Sequence, residues 1–277
     1  MKILNNNTFD KLKNLEDYIY SICKNDICIA FSGGVDSSLL LDIVYNQALK
    51  NDINVYAITF STKLHPKCDI DFAKNFCRNL HIKHIILEID EFENEKILSN
   101  PINRCYICKK YIFQKLINFA EDNNIKVCLE GTNFDDLNYY RPGIKALNEL
   151  NIISPLMNFK LTKNEIRDIA EFRGLSVSNK PSSPCLATRL PYNTKIDFKL
   201  FNIIEKGENF LKDLGFYNVR IRVHNEIARI EIDKKDFNKF IENSNLIIES
   251  LKRIGFIYIT LDIEGFRSGS MDININN

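Results

Sequence analysis

The sequence predicts an α/β protein: a mostly parallel sheet with helices on both faces, followed by a smaller C-terminal α+β domain. Three observations predict this. Short apolar runs alternate with helix-period segments through the first two thirds of the chain, the order of a βαβ sheet buried on both sides. A glycine- and serine-rich turn joins the first run to the first of those helices. Beyond a proline-rich stretch the pattern restarts as helix, two alternating strands, helix and strand.

Taken in order, 27–31 reads as a short buried strand, and Leu39, Leu40, Leu41, Ile43 and Val44 at helical spacing mark the helix that follows. Between them lies Ser32-Gly33-Gly34-Val35-Asp36-Ser37-Ser38. Two glycines let the backbone turn tightly and bring its N–H groups to an anion. The serines add hydroxyl donors at a helix N-terminus, where the macrodipole favours negative charge. Asp36 cannot donate to a phosphate, so at that mouth it is expected to hold a divalent cation, Mg²⁺, that bridges to phosphate oxygens. Neither G-x-x-x-x-G-K-[ST] nor G-x-G-x-x-G occurs, which removes support for γ-phosphoryl transfer and for a dinucleotide oxidoreductase.

The pattern continues with strands over 55–59, 84–89 and 127–130, and helices over 69–80 and 104–121. Ligands of such sheets bind beyond the carboxyl ends of the strands. Two further segments are expected there: Thr59-Phe60-Ser61, and Gly131-Thr132-Asn133-Phe134-Asp135-Asp136, which reads equally as a turn with an Asx-type cap. A helix from Leu161 to about Arg173 ends at Gly174. Lys180-Pro181-Ser182-Ser183-Pro184 cannot be helical, so residues 1–180 form one domain, 181–196 a connector that carries Cys185, and 197–277 a second domain. There a helix over 197–214, strands over 218–224 and 228–233, a helix over 236–253 and a strand over 258–262 are expected. A two-residue period puts Val219, Ile221 and Val223 on one face and Arg220, Arg222 and His224 on the other. That cationic row is either a solvated sheet face or an anion site.

With 277 residues and 45% apolar content the chain can fill two cores. A net charge of +1 and no polybasic block give no general attraction for nucleic acid. The N-terminal segment lacks the apolar region of a secretion signal, and no run approaches a membrane span, so a cytoplasmic protein is expected. Its eight cysteines then read as thiols, metal ligands or catalysts before disulfides. Cys105 and Cys108 form a C-x-x-C at a helix start, open to three readings: a redox pair, half a zinc site, or helix thiols. No second such pair completes a zinc site, although Cys68, Cys77 or Cys128 offers a further sulfur; with Cys185 the pair supplies three thiolates, which suit an iron–sulfur cluster. Cys23, Cys28, Cys77 and Cys128 fall in apolar stretches and read as small core residues.

The SGGxDS string resembles the loop of the PP-loop ATP pyrophosphatases, whose adenine nucleotide α-hydrolase-like fold cleaves ATP between the α- and β-phosphates and leaves AMP on an oxygen of the substrate. Arg104-Cys105-Tyr106-x-Cys108-Lys109, Pro181-x-x-Pro184-Cys185-Leu186-Ala187-Thr188-Arg189, Val219-Arg220-x-Arg222-x-His224 and Gly265-Phe266-Arg267-x-Gly269-Ser270 extend the resemblance to the LarE-type sulfur transferases, over about residues 10–272. The resemblance implies adenylation of the carboxylates of pyridinium-3,5-biscarboxylic acid mononucleotide and their conversion to thiocarboxylates, for the nickel-pincer nucleotide cofactor of lactate racemase. It implies ATP contacts from Ser32 to Ser38, with Thr59, Gly131, Thr132 and Asn133 lining the nucleotide pocket, and a substrate phosphate held by Arg189, Arg220 and Arg222.

The family's two sulfur strategies differ at Cys185. Either this cysteine surrenders its own sulfur, or Cys105, Cys108 and Cys185 bind a [4Fe-4S] cluster carrying an exchangeable hydrosulfide replenished by sulfide or another donor. The presence of the C-x-x-C pair implies the cluster type. Glu208 reads as a solvated glutamate or as a metal or acid/base group. A homo-oligomer, a hexamer of two trimers, is implied by analogy. The rival expectations are a cluster-dependent tRNA-thiolating enzyme, a regulatory protein with an inactive loop, and an ammonia-using amidotransferase or NAD synthetase, which gives the three cysteines no role.

Overall fold

A computed structural model describes residues 3–65, 68–90, 93–138, 140–180, 184–267 and 269–272, with the side chains of 68 and 69 excepted. The chain divides into two units. The first comprises Met1–Thr62, Lys67–Glu91 and Asn103–Ser182, and the second Lys63–Pro66, Phe92–Ile102 and Ser183–Asn277.

The first unit opens with α1 (Asn6–Ile22), where Asn5 accepts the Thr8 N–H at 2.8 Å as N-cap. Leu12, Leu15 and Ile19 form its buried stripe. Then follow β1 (Ile27–Ala30), α2 (Val35–Asn51), β2 (Val55–Ser61), α3 (Cys68–Asn79) and β3 (Lys83–Glu88). In the second unit lies α4 (Glu95–Leu98), after which α5 (Arg104–Asp122), β4 (Val127–Leu129), α6 (Gly143–Glu149), α7 (Pro155–Asn158) and α8 (Lys163–Phe172) complete the first. The strand order is β3-β2-β1-β4, and every pairing is parallel. Alternation sends Ile27 and Ile29 into a core with α1, α2 and α8, and Cys28 and Cys128 into the opposite core with Ile112, Phe113 and Leu116 of α5. Helices therefore cover both faces, the expected α/β arrangement. Leu39, Leu40, Leu41, Ile43 and Val44 are all fully buried, which makes α2 a central helix and fixes the loop in front of it.

In the second unit, α9 (Phe198–Asp213) packs on the sheet of β5 (Val219–His224), β6 (Ile227–Ile232) and β7 (Tyr258–Leu261). Antiparallel β5–β6 and parallel β6–β7 pairings give the order β5-β6-β7. The single helix expected over 236–253 is two, α10 (Phe237–Glu242) and α11 (Ser244–Ile254). Asn243 separates them: its side-chain amide donates to Lys239 O at 2.8 Å, a local bond that competes with helix continuation. Two segments from the N-terminal half belong here. Leu64 O accepts Leu186 N–H at 2.8 Å, Leu98 O accepts Ile196 N–H at 2.8 Å, and buried Asn100 donates to Pro191 O at 2.9 Å. No helix among the described residues is long and apolar enough to cross a membrane.

Candidate active site

The order β3-β2-β1-β4 reverses direction at β1, so the segments after β1 and β4 meet beyond the same end of the sheet. After β1 the backbone turns at Gly33, with φ +71°, and Gly34 becomes the N-cap of α2. Ser37 Oγ donates to Gly34 O at 3.2 Å and accepts the Ser32 N–H at 3.3 Å, bonds that tie the turn to the first turn of the helix. After β4, Gly131 lies so close that a Cβ there would stand 3.0 Å from Ser37 N. The N-terminal N–H groups of a 17-residue helix face an open loop, an anion cradle of the kind the sequence predicts.

Asp36 stands at this mouth with about a fifth of its side chain exposed, 22%. One oxygen pairs with Lys163 Nζ, and the other accepts Asn133 Nδ2 at 3.4 Å. Asn133 also caps the following turn, accepting Asp136 N–H at 3.3 Å, the Asx-type cap expected of the 131–136 segment. Lys163 is the first residue of α8, whose start is set by a capping box between Thr162 and Glu165. Lys11 on α1 holds Glu165 at 2.8 Å, and Lys163 N–H donates to Asp135 at 2.8 Å. A single partly exposed carboxylate is a donor set that fits Mg²⁺, which typically takes one or two carboxylates plus substrate phosphates.

Thr59 departs from its expected place. It lies inside β2, buried, where its hydroxyl donates to Phe31 O at 2.7 Å and meets His84 Nε2 at 2.8 Å. It braces the strand that precedes the loop. Ser38 is fully buried, its Oγ without a hydrogen-bond partner among the described residues, and so does not open onto the cradle. Thr132 is bound to Glu130, whose carboxylate also takes Ser154 Oγ and, at 3.3 Å, Lys109 Nζ. Val35 is buried, leaving its backbone as its share of the cradle.

Cys105 and Cys108 are half-buried cysteines in no disulfide, one turn apart at the start of α5, and the Arg104 guanidinium donates to Cys105 Sγ at 3.1 Å. Cys185 is a half-buried cysteine of the second unit, in no disulfide. Cys23, Cys28, Cys77 and Cys128 are buried, and burial pushes the thiols of Cys23 and Cys77 up to about 11 and about 12. Among the described residues no group of three or more His, Cys, Asp or Glu is drawn together as a metal site.

The cationic row is neither solvated nor without carboxylates, which corrects the first of its two readings. Arg220 and Arg222 are buried, at 6% and 5% exposure. Register places Glu231 of β6 opposite Arg220, and Arg222 donates to Glu231 Oε2 from Nε at 3.2 Å and Nη2 at 3.1 Å. Arg222 Nη1 reaches Thr188 O at 2.7 Å. Arg220 donates to Val219 O at 2.6 Å and lies 5.2 Å from the Phe266 ring centroid. Burial, with neighbouring Arg189, lowers Arg220 to about 10. Glu208 is likewise no solvated glutamate: it is buried, receives Arg189 through Nε at 2.7 Å and Nη2 at 2.9 Å, and accepts Ile221 N–H at 3.0 Å. Burial raises its carboxyl, but Arg189, Arg220 and the Ile221 N–H outweigh this and hold it below the usual value.

Arg189 also differs from expectation, because its third nitrogen is engaged within the protein as well. Nη1 donates to Thr188 Oγ1 at 2.9 Å and to Pro184 O at 3.2 Å, and reaches Cys185 O at 3.4 Å. The side chain that the resemblance assigned to substrate holds the turn carrying Cys185. Each of its three nitrogens has a partner within the protein.

A parallel sheet with this cradle at its switch point defines an ATP-using PP-loop enzyme, and a PP-loop domain model matches residues 5–185. An uncharacterised protein of Synechocystis sp. is 33% identical over 95% of this chain and 97% of its own length. The pyridinium-3,5-bisthiocarboxylic acid mononucleotide synthase of Lactiplantibacillus plantarum is 33% identical over 89% of this chain and 88% of its own. A tRNA-specific 2-thiouridylase of Fusobacterium nucleatum is 29% identical over 69% and 60%. The chain belongs to the PP-loop family, in its LarE-type branch of ATP-dependent sulfur transferases.

Proposed function

We propose that the substrate is pyridinium-3,5-biscarboxylic acid mononucleotide and that the product is its thiocarboxylate. The observation that carries this reading is the near full-length similarity to the Lactiplantibacillus plantarum synthase, together with the cradle closed around Asp36. Ser32, Gly33, Gly34, Val35 and Ser37 take the pyrophosphate moiety, largely through backbone N–H groups. Asp36 holds Mg²⁺ against the phosphates, and Lys163, released from that carboxylate, stabilises charge that builds on them. Gly131, Thr132 and Asn133 form the opposite wall. Arg220 and Arg222 bind the substrate phosphate, and Arg189 and Glu208 hold the Cys185 turn.

A substrate carboxylate oxygen attacks the α-phosphorus, the bond to the pyrophosphate oxygen breaks, and an acyl adenylate and pyrophosphate result. A sulfur nucleophile then forms a C–S bond at the carbonyl carbon as AMP leaves with the C–O electron pair. Cys105, Cys108 and Cys185 would hold a [4Fe-4S] cluster, which when bound supplies an exchangeable hydrosulfide. The one-turn spacing of Cys105 and Cys108, neither of them in a disulfide, supports this source of sulfur. A homo-oligomer, an inorganic sulfide donor and a reducing, cytoplasmic setting complete the proposal.

Anaerobic reconstitution with iron and sulfide tests it. About four irons per chain, diminished by each single Cys→Ala change, and repeated substrate-dependent release of pyrophosphate and AMP are expected. A single stoichiometric burst, with the Cys185 peptide lighter by one H₂S, would assign the sulfur to Cys185 instead. No pyrophosphate release with the mononucleotide sinks the substrate assignment. Salt-sensitive submicromolar binding of tRNA would replace it with the activity named for the Fusobacterium nucleatum relative.

A further inference from the structure

A second ammonium reaches the phosphate loop from far along the chain. Lys180 Nζ donates to Gly33 O at 2.9 Å and stands 4.1 Å from the centroid of the Phe72 ring. Phe72 packs on Phe76, and Phe76 on Phe31 at the entrance to the loop, with ring centroids 5.9 and 5.4 Å apart. The backbone beneath the lysine is fixed as well. Arg167 on α8 donates to Ser178 O and, at 2.9 Å, to Lys180 O. The side chain is thus aimed by two restraints that do not involve the loop.

The contact falls on the peptide whose orientation decides what the cradle presents. Gly33 is the residue with φ +71°, and the peptide that follows it is planar and trans, so its C=O and N–H point in opposite directions. With Gly33 O turned to Lys180, the Gly34 N–H points away from the lysine, toward Ser32 Oγ at 3.4 Å. Rotating that peptide would swing a carbonyl oxygen toward the side where an anion must bind. A charged donor on the oxygen opposes the rotation more strongly than a neutral one.

We propose that Lys180 is a positioning residue for the polyphosphate: its ammonium holds the Gly33–Gly34 peptide with the N–H turned toward the bound pyrophosphate moiety. The proposal rests on the ATP cradle and not on which carboxylate is adenylated. Affinity for ATP and for free pyrophosphate depends on Lys180, and affinity for AMP does not, because AMP lacks the phosphates that the loop cradles.

Calorimetric titration of the full chain with ATP, pyrophosphate and AMP, each with Mg²⁺, tests this in wild type, K180M, K180R and F72L, with thermal melts as the folding control. K180M is expected to bind ATP and pyrophosphate about tenfold or more weakly, the range of one charge-assisted hydrogen bond, with AMP within about twofold of wild type. K180R is expected within about threefold of wild type for all three ligands, and F72L between K180M and wild type for ATP. If K180M does not fold, K180Q carries the same comparison. ATP binding by K180M within about twofold of wild type, equal losses for ATP and AMP, or a K180R as weak as K180M overturns the proposal. A wild-type chain that binds neither ATP nor pyrophosphate overturns the cradle itself.

Discussion

The two charged regions of the molecule handle their charge in opposite ways. Around the cradle, Asp36 and Lys163 keep about a fifth and a third of their side chains exposed, 22% and 31%, and the proposed function has their pairing exchange for Mg²⁺ and phosphate. In the second unit, Arg189, Arg222, Glu208 and Glu231 are buried, and each arginine is bonded to a carboxylate. A charge left near water costs little to re-partner. A buried one is strongly coupled to its partner, because removal of either leaves an uncompensated ion in a poorly polarisable interior. The first arrangement suits a group that must change partners during a reaction, the second a group that must hold a fixed position.

The largest expected effect breaks the buried side of this comparison. Glu208→Ala strands Arg189 and frees the turn at Cys185, so it should cost about 3–5 kcal/mol of unfolding free energy, read from urea denaturation of the second unit. A loss below about 1 kcal/mol would mean that water replaces the carboxylate and that the region is less sealed than its burial indicates. Next comes Asp36→Asn, which keeps the shape of the side chain but removes its charge. Pyrophosphate release should fall by at least about 10²-fold while the melting temperature stays close to wild type, the contrast expected of a partly exposed functional charge. Release within a few-fold of wild type would remove Asp36 from metal binding.

Arg220→Ala tests whether the buried row also meets a ligand. Binding of the mononucleotide should weaken by about 1.5–3 kcal/mol, with ATP affinity unchanged, as measured by titration. Equal binding would leave Arg220 a packing partner of Phe266. The smallest effect concerns pH at β3. Burial, with Lys74 nearby, lowers the pKa of His84, which braces Thr59. The unfolded chain binds a proton near pH 6.5 and the folded chain resists it, so stability should decline as pH falls below about 6.5 toward the lowered folded value. Melts across pH 7.5 to 5.5 should show that slope, flattened in His84→Gln; an equal slope in the variant would move the titration elsewhere.

The strands of both sheets, the helices over 104–122 and 198–213 and the glycine stop after α8 were legible because each rests on local periodicity or a local cap. The break at Asn243 was not, since the flanking apolar spacing continues across it. Thr59 was placed in a loop because β2 runs two residues further than its apolar stretch, carried by pairing with β3 through Ser61. The solvated reading of the β5 face fails for a related reason. Alternation assigns residues to faces but not to water, and β6 together with the Cys185 turn supplies the carboxylate of Glu231 and the carbonyl of Thr188 that Arg222 meets.

What the sequence by itself determined is the chemistry that sits in consecutive residues. Ser32 to Ser38 carries the turn, the donors and the carboxylate within one strand-to-helix junction, so a single peptide segment specifies an anion cradle. The tertiary structure alone decided which distant charges serve it. Lys163 and Lys180 are two among 37 lysines and arginines, and nothing in their local sequence separates them from a solvated cation. They reach the loop because α8 starts at the open end of the sheet and because Arg167 clamps the chain at Ser178 and Lys180. Such pairings depend on chain separations of 127 and 147 residues, over which sequence spacing carries no distance information and only packing of the core sets position.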